Sequence, residues 1–216
     1  MPSPSEQLPD SAAPRIAGII LAAGASRRLG RPKQLLPYGS GVLLDAVLAT
    51  ARDCGFGQTV LALGGAASEV GRTVGTSGCD VVLNPDYGDG CASSIATALA
   101  AVHPDTDVVV LLLGDQPEVR ASSVLAVIGA LQQAGGRAGQ AGIAVCRYDD
   151  GVGHPLAFAR RLLPDLAALH GDKAVWKLLE QRADDVVEVR TCGTVPLDVD
   201  TEDDYRRLLD GLQGAL

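Results

Sequence analysis

Residues Arg15 to Pro37 read RIAGIILAAGASRRLGRPKQLLP, and the fold follows from how this stretch changes character. Ile16 to Leu21 is a continuous apolar run in which β-branched residues recur, the pattern of a strand buried on both faces. It stops at Ala22-Ala23-Gly24. The next residues are small and then basic: Ala25, Ser26, Arg27, Arg28, Gly30, Arg31 and Lys33. Glycine and alanine let backbone N–H groups approach a ligand closely, and clustered N–H groups with Arg and Lys make an anion site. The stretch reads as a strand feeding a phosphate loop, against the plainer alternative of a strand leading into a solvated basic turn. Two common phosphate loops are excluded. The Walker pattern needs four residues between its glycines and then Lys-Ser/Thr, whereas five residues separate Gly24 from Gly30 and Arg31-Pro32 follows. The dinucleotide fingerprint G-x-G-x-x-G lacks its third glycine.

Outward from this stretch, 216 residues with an apolar share of 47% suit one domain with a sizeable core. A net charge of −8 and only 3% aromatic residues argue against polynucleotide partners, which call for a basic face and stacking aromatics. Five cysteines stand singly without a C-x-x-C pair, so they read as reduced thiols rather than a disulfide framework or zinc site. No apolar run is long enough for a membrane span and no signal peptide opens the chain, which makes the cytoplasm the expected location. Residues 1 to 14, rich in Pro, Ser, Asp and Glu, read as a disordered tail, leaving 15–216 as the domain.

The rest alternates strand and helix. Val42 to Cys54 has helical spacing and ends at Gly55 and Gly57; Thr59 to Leu63 is a strand closed by Gly64-Gly65. Ala66 to Val74 reads as a helix, Cys79 to Leu83 and Asp107 to Leu113 as strands, Ser122 to Gln133 as a helix and Ile143 to Arg147 as a strand. This order predicts an α/β fold with a mostly parallel sheet covered on both faces. In NPDYGDGCASS, from Asn84, Ser93 or Ser94 stands where a helix would start; either caps it, or the helix N-terminus and both hydroxyls face a ligand. Asp115 follows the most apolar strand directly. It is either a turn residue or a magnesium ligand, since carboxylate and triphosphate oxygens together suit Mg²⁺. Gly135 to Gly142 reads as a flexible connection and Tyr148 to Leu156 as a loop containing His154, with Val186 to Arg190 and Val195 to Val199 as strands. Asp198 and Asp200 alternate with Leu197 and Val199, so both carboxylates face one side of an extended segment before the last helix, which starts over Thr201 to Asp204.

Taken together, these residues resemble a known family. LAAGASRRLGRPKQLLP is similar to the signature loop of the MobA-like nucleotidyltransferases, and KQLLP resembles their molybdenum cofactor cytidylyltransferase branch, which transfers CMP to molybdopterin. The resemblance runs from Ile16 to Leu209. NPDYGDGCASS is similar to that branch's Asn-Pro, aromatic, Gly and serine run, although Tyr87 stands where tryptophan is common and Cys91-Ala92 replace part of the run. GDQP from Gly114 resembles the metal-binding Asp motif, and DVDTEDD from Asp198 resembles DIDTPED without its proline. HGDKAVWKLLEQR from His170 is similar to the Gly-Asp turn and following helix, with Asp172 as its N-cap and Trp176 and Leu179 in the core.

The resemblance implies a three-layer, Rossmann-like sheet of the nucleotide-diphospho-sugar transferase type. It implies a triphosphate wrapped by Leu21, Ala22, Ala23, Gly24 and Ser26, with Arg28 and Lys33 on its oxygens. Gly64, Ser93, Ser94 and Asp115 would lie along the nucleotide. Mg²⁺ would sit on Asp115 and Asp198, with Asp200 in reserve, and Gln116, His154 and Asp200 would meet the acceptor. Arg28, Lys33 and Asp115 are the implied catalytic residues. Ala23, where the guanylyl-transferring branch usually has glycine, favours CTP. The implied partners are CTP, molybdopterin and a molybdenum hydroxylase that receives the cofactor. The alternatives are a nucleotidyltransferase for another phosphorylated acceptor, an oxidoreductase of the nicotine-blue reductase type, and a carrier of the finished cofactor.

Overall fold

The computed structural model describes residues 15–134 and 141–213. The tail expected over residues 1 to 14, and most of the Gly135 to Gly142 connection, lie outside the described residues. Nine strands and seven α-helices are described: β1 Ile16–Ala22, β2 Pro37–Tyr38, β3 Gly41–Val42, α1 Leu43–Cys54, β4 Gln58–Leu63, α2 Ala67–Thr73, β5 Asp80–Leu83, α3 Cys91–Leu99, β6 Val108–Leu113, α4 Ala121–Ala134, β7 Ile143–Arg147, β8 Val152–Ala159, α5 Leu163–Ala167, α6 Ala174–Gln181, β9 Val186–Arg190 and α7 Glu202–Gln213. Seven strands form one sheet in the order β5-β4-β1-β6-β8-β7-β9, and β2 and β3 make a small separate hairpin.

β1 lies between β4 and β6 and runs parallel to both, with Ile19 opposite Val60 on one side and Leu111 on the other. The first crossovers carry the chain outward to β4 and β5, and β6 then returns to the opposite side of β1. Strand order therefore reverses at β1 and β6, and open α/β sheets bind ligands beyond the carboxyl ends of the strands at such a point. The loops at Gly24 and Asp115 both leave from it.

Alternation along the strands splits the interior into two layers. Ile20, Leu61, Val110 and Leu112 pack against α1 and α4 through Leu44, Val47, Val124 and Val127. Ile19, Val60, Leu111 and Phe158 face the other way, against Ile95, Leu166 and Leu178 of α3, α5 and α6. Helices cover both faces, as the pattern predicts. A third, smaller cluster joins Leu36 and Leu43 to Val199, Tyr205 and Leu208, which docks α7 beside the segment that follows the basic loop.

Two expectations are corrected. The loop expected over Tyr148 to Leu156 is largely strand: β8 starts at Val152 and pairs antiparallel with both β6 and β7. Register shifts between Val145–Leu156 and Cys146–Gly153, so His154 and Pro155 form a bulge that tolerates a residue without an N–H, and their peptide bond is cis. The strand expected over Val195 to Val199 joins no ladder. That segment crosses the end of the sheet, anchored by the Val195 N–H to Asp150 Oδ1 at 2.8 Å and by the Val199 N–H to the Asp115 carbonyl at 3.4 Å.

Truncating Leu112, 1% exposed on β6, to Ala is expected to cost about 2–5 kcal/mol in denaturant unfolding. Leu125→Ala, on the half-exposed outer side of α4, should stay within roughly 0.5 kcal/mol of the parent. Equal losses at the two positions would contradict the layering.

Candidate active site

Ser26 has φ 51°, in the left-handed region that L side chains seldom adopt, and its carbonyl accepts the Leu29 and Gly30 N–H groups, each at 3.1 Å. The Ser26 hydroxyl accepts the Lys33 N–H at 2.9 Å, closing the loop on itself. Gln34, 2% exposed, donates through Nε2 to the carbonyls of Ala22 at 2.6 Å and Gly24 at 3.2 Å. These bonds tie the end of β1 to the far side of the loop and hold Lys33 over the sheet.

Lys33 joins three segments. Its Nζ donates to Asp115 Oδ2 and, at 2.8 Å, to Asp200 Oδ1. Arg28 donates to the other Asp200 oxygen at 2.6 Å. The Lys33 and Asp115 side chains are only 14% and 12% exposed, whereas Arg28 is 66% exposed. Burial alone would lower the lysine pKa, but Asp115 and Asp200 outweigh it and raise the value. Burial would likewise raise that of Asp200, and Lys33 and Arg28 outweigh it and hold the carboxyl low.

Asp198 is placed differently. Gln116, 2% exposed, donates to Asp198 Oδ1 at 2.8 Å and to the Pro196 carbonyl at 3.2 Å. The residue borders solvent, yet the protein around its carboxyl and then the Asp115 charge push its pKa up to about 6. Val199, fully buried between Asp198 and Asp200, turns both carboxylates away from the core.

Asp115 and Asp198 thus crowd negative charge into one place, which a hard divalent cation would relieve. Among the described residues no group of three or more His, Cys, Asp or Glu is arranged to hold a metal ion. Two carboxylates nevertheless suit Mg²⁺, which takes one or two of them and completes its shell with water and substrate phosphate. The donor set fits a metal that arrives with a nucleotide.

Leu21 and Ala22 end β1, and Ala23 follows it, beside Gly114, whose N–H donates to the Leu21 carbonyl at 2.9 Å. A side chain on Gly64 would strike the Ala23 carbonyl and Tyr87, so this glycine lets the loops after β1, β4 and β5 meet. Cys91 opens α3 within electrostatic range of Asp115; burial and then the Asp172 and Asp115 charges push its thiol up to about 11, so it stays protonated.

The serine cap expected at Ser93 or Ser94 is absent, because the helix starts two residues earlier, at Cys91, behind Gly90. Asn84 Nδ2 instead donates to both hydroxyls at 2.9 Å. Asp172 does not cap its own helix either; it accepts the Cys91 N–H at 3.1 Å. His154 stands apart from the charged cluster, 8% exposed, with its ring edge-on to Trp176 at 5.7 Å. The sequence reading places Asn84 and Gln34 in motifs but gives neither side chain a role of its own. The signal was there: each is a polar side chain directly against apolar residues, Asn84 after Leu83 and Gln34 before Leu35-Leu36.

Away from the cluster, a cavity of about 610 Å³ lined by Arg15, Gly57, Gln58, His103 and Thr106 opens where β1, β4 and β6 begin. It brings no carboxylate pair or basic loop together. Among the described residues no helix is long and apolar enough to cross a membrane.

Comparison with known proteins identifies the family and the fold. A family model described as MobA-like NTP transferase domain matches residues 18–186. The nicotine blue oxidoreductase of Paenarthrobacter nicotinovorans is 31% identical over 206 residues, 93% of this chain and 99% of that protein. The molybdenum cofactor cytidylyltransferase of Escherichia coli (strain K12) is 28% identical over 190 residues, 87% of this chain and 92% of that protein. Among solved structures, Rv0371c from Mycobacterium tuberculosis H37Rv is 50% identical with a TM-score of 0.85, over 92% of this chain and 99% of that one. The Rv0371C complex with manganese is 46% identical with a TM-score of 0.79, over 92% of this chain and all of that one, at 100%. The fold is of the nucleotide-diphospho-sugar transferase type, as expected.

Burial lowers the His154 pKa from its ordinary 6.5 to about 4, so the unfolded chain takes up a proton that the folded one refuses. The neutral ring's contribution is complete above pH 6.5 and is lost as pH falls towards 4, by roughly 3 kcal/mol. Urea unfolding at pH 7 and pH 4.5 should show a smaller loss in His154→Leu than in the parent. Identical losses would contradict a buried neutral ring.

Proposed function

The chain belongs to the MobA-like NTP transferase family, and from that premise we propose that it transfers CMP from CTP to the terminal phosphate of molybdopterin. The observation that carries the reading is the Lys33 ammonium between Asp115 and Asp200, with Arg28 beside it, at the point where strand order reverses. KQLLP and the cytidylyltransferase relative support the choice of nucleotide and acceptor.

The chemistry asks little covalent work of the protein. A phosphate oxygen of the acceptor attacks the α-phosphorus of CTP, a new P–O–P bond forms, and the bond to the β-phosphate breaks with pyrophosphate leaving. Catalysis then rests on alignment and on cations placed where charge develops. The amides of the loop from Ala22 to Ser26 face the triphosphate, and Arg28 and Lys33 neutralise its oxygens. As Lys33 turns to phosphate, Asp115 is freed of its ammonium partner. Asp115 and Asp198 would hold Mg²⁺, which when bound draws charge from the phosphates and orients the leaving group. Gln116 keeps the Asp198 carboxylate pointed at that place. The manganese complex of Rv0371C supports a divalent metal in this family. A molybdenum hydroxylase would receive the product.

A second reading rests on the nicotine blue oxidoreductase, which matches at the higher identity of 31%. The paired carboxylates favour the first: a dinucleotide's pyrophosphate would use a basic loop as well, but hydride transfer calls for no metal-binding acids such as Asp115 and Asp198 beside it, whereas nucleotidyl transfer does.

Pyrophosphate release with molybdopterin and Mg²⁺ should be seen with CTP and be far slower with GTP, ATP or UTP. Asp115→Asn should lower it by about a hundredfold or more in a variant that circular dichroism shows to be folded at the assay temperature. Release with none of the four nucleotides would contradict the transferase reading, and a fully active Asp115→Asn would remove that carboxylate from the site.

A further inference from the structure

Asp200 touches the basic loop in a way that the transfer reaction by itself does not require. Its two oxygens are divided between the cations, one on Arg28 at 2.6 Å and the other on Lys33 at 2.8 Å. Among the described residues it is the only ionic partner of Arg28. Nor is the carboxylate loosely placed. The Asp200 and Thr201 N–H groups donate to Asp204 Oδ2 at 3.3 and 2.9 Å, and the Thr201 hydroxyl donates to the same oxygen at 2.7 Å. Val199 before it is fully buried, and after it the Tyr205 hydroxyl donates to the Pro37 carbonyl at 2.7 Å. A second tie runs alongside: Arg31 pairs with Glu202 at 3.1 Å and lies 5.9 Å over the Tyr205 ring. The end of α7 is pinned to the loop, and Asp200 is carried on that pin.

The charges of the joined groups cancel. Arg28 and Lys33 carry two positive charges, and Asp115 and Asp200 carry two negative ones, so the loop is not the bare cationic cradle that its sequence suggests. An entering polyphosphate meets cations already satisfied by a carboxylate that repels it. Resting on the phosphate-site reading above, we propose that Asp200 is a resident counter-anion that competes with the substrate's phosphates for Arg28 and Lys33. It keeps the loop preformed while empty, weakens polyphosphate binding, and retakes both cations as pyrophosphate leaves. Arg28 and Asp200 are 66% and 38% exposed, so this pair is open enough to exchange partners quickly.

The test is calorimetric titration with inorganic pyrophosphate, without nucleotide or metal, on the full chain. Asp200→Asn keeps the shape and removes the charge. It should bind pyrophosphate about tenfold more tightly than the parent, the scale of two partly exposed ion pairs, and the gain should shrink in high salt. Asp203→Asn, which removes an 81% exposed acid paired, among the described residues, only with Arg206, should leave the affinity unchanged. Lys33→Ala should weaken binding. Equal or weaker binding by Asp200→Asn, with Lys33→Ala still weakened, would overturn the counter-anion and leave the phosphate site standing. Unweakened binding by Lys33→Ala would overturn the phosphate site, and the counter-anion with it. Asp200→Ser supplies the same test if the asparagine variant does not fold.

Discussion

One ammonium group connects the three segments that build the candidate site. Lys33 Nζ reaches Asp115 at the end of β6 and Asp200 on the segment that crosses the sheet, from a loop that leaves β1. With side-chain exposures of 14% and 12%, neither Lys33 nor Asp115 could stand alone without a large desolvation cost. Their pairing is therefore a constraint on where all three segments lie, since removal of Lys33 would leave Asp115 buried and unmatched, and removal of Asp115 would leave Lys33 only Asp200. The neighbouring bonds serve the same end. Gln34 fixes the carbonyls of the loop, Ser26 closes it, Gln116 aims Asp198, and the cluster around Leu36, Val199 and Tyr205 seats the crossing segment.

Most of the sheet was legible because buried parallel strands leave an unmistakable trace. Ile16 to Leu21 and Val108 to Leu113 are apolar without a break, and each is followed at once by candidate site residues. What escaped the reading depended on contacts between distant segments. β8 contains Gly153, His154 and Pro155, which locally favour a turn; pairing on both sides and a bulge override that preference. Val195 to Val199 alternates like a strand, but its anchors are the carboxylate of Asp150 and the carbonyl of Asp115, and no ladder lies within reach. Ser93 and Asp172 both look like caps. Gly90 admits a helix start two residues early, and the Asp172 carboxylate then serves the helix across from it.

Candidate residues divided along similar lines. Arg28, Lys33, Asp115, Asp198 and Asp200, from three separate stretches, come together at one end of the sheet, where strand order alone would direct a ligand. His154 does not join them; its ring is spent on Trp176. No sequence pattern could announce that the basic loop is already neutralised, because the neutralising carboxylate lies 172 positions away from Arg28. The same fold serves relatives described as an oxidoreductase and as a cytidylyltransferase, so the reading of function has to rest on this cluster and not on architecture.

The central claim, that the cluster receives a nucleoside triphosphate with its metal, is tested most directly by anomalous diffraction from crystals grown with CTP and Mn²⁺. The account predicts one manganese peak bridging Asp115, Asp198 and the phosphates, with Arg28 and Lys33 turned onto the triphosphate. Nucleotide and manganese bound elsewhere, in the cavity beside Arg15 and His103 for example, with Lys33 still held between Asp115 and Asp200, would contradict it.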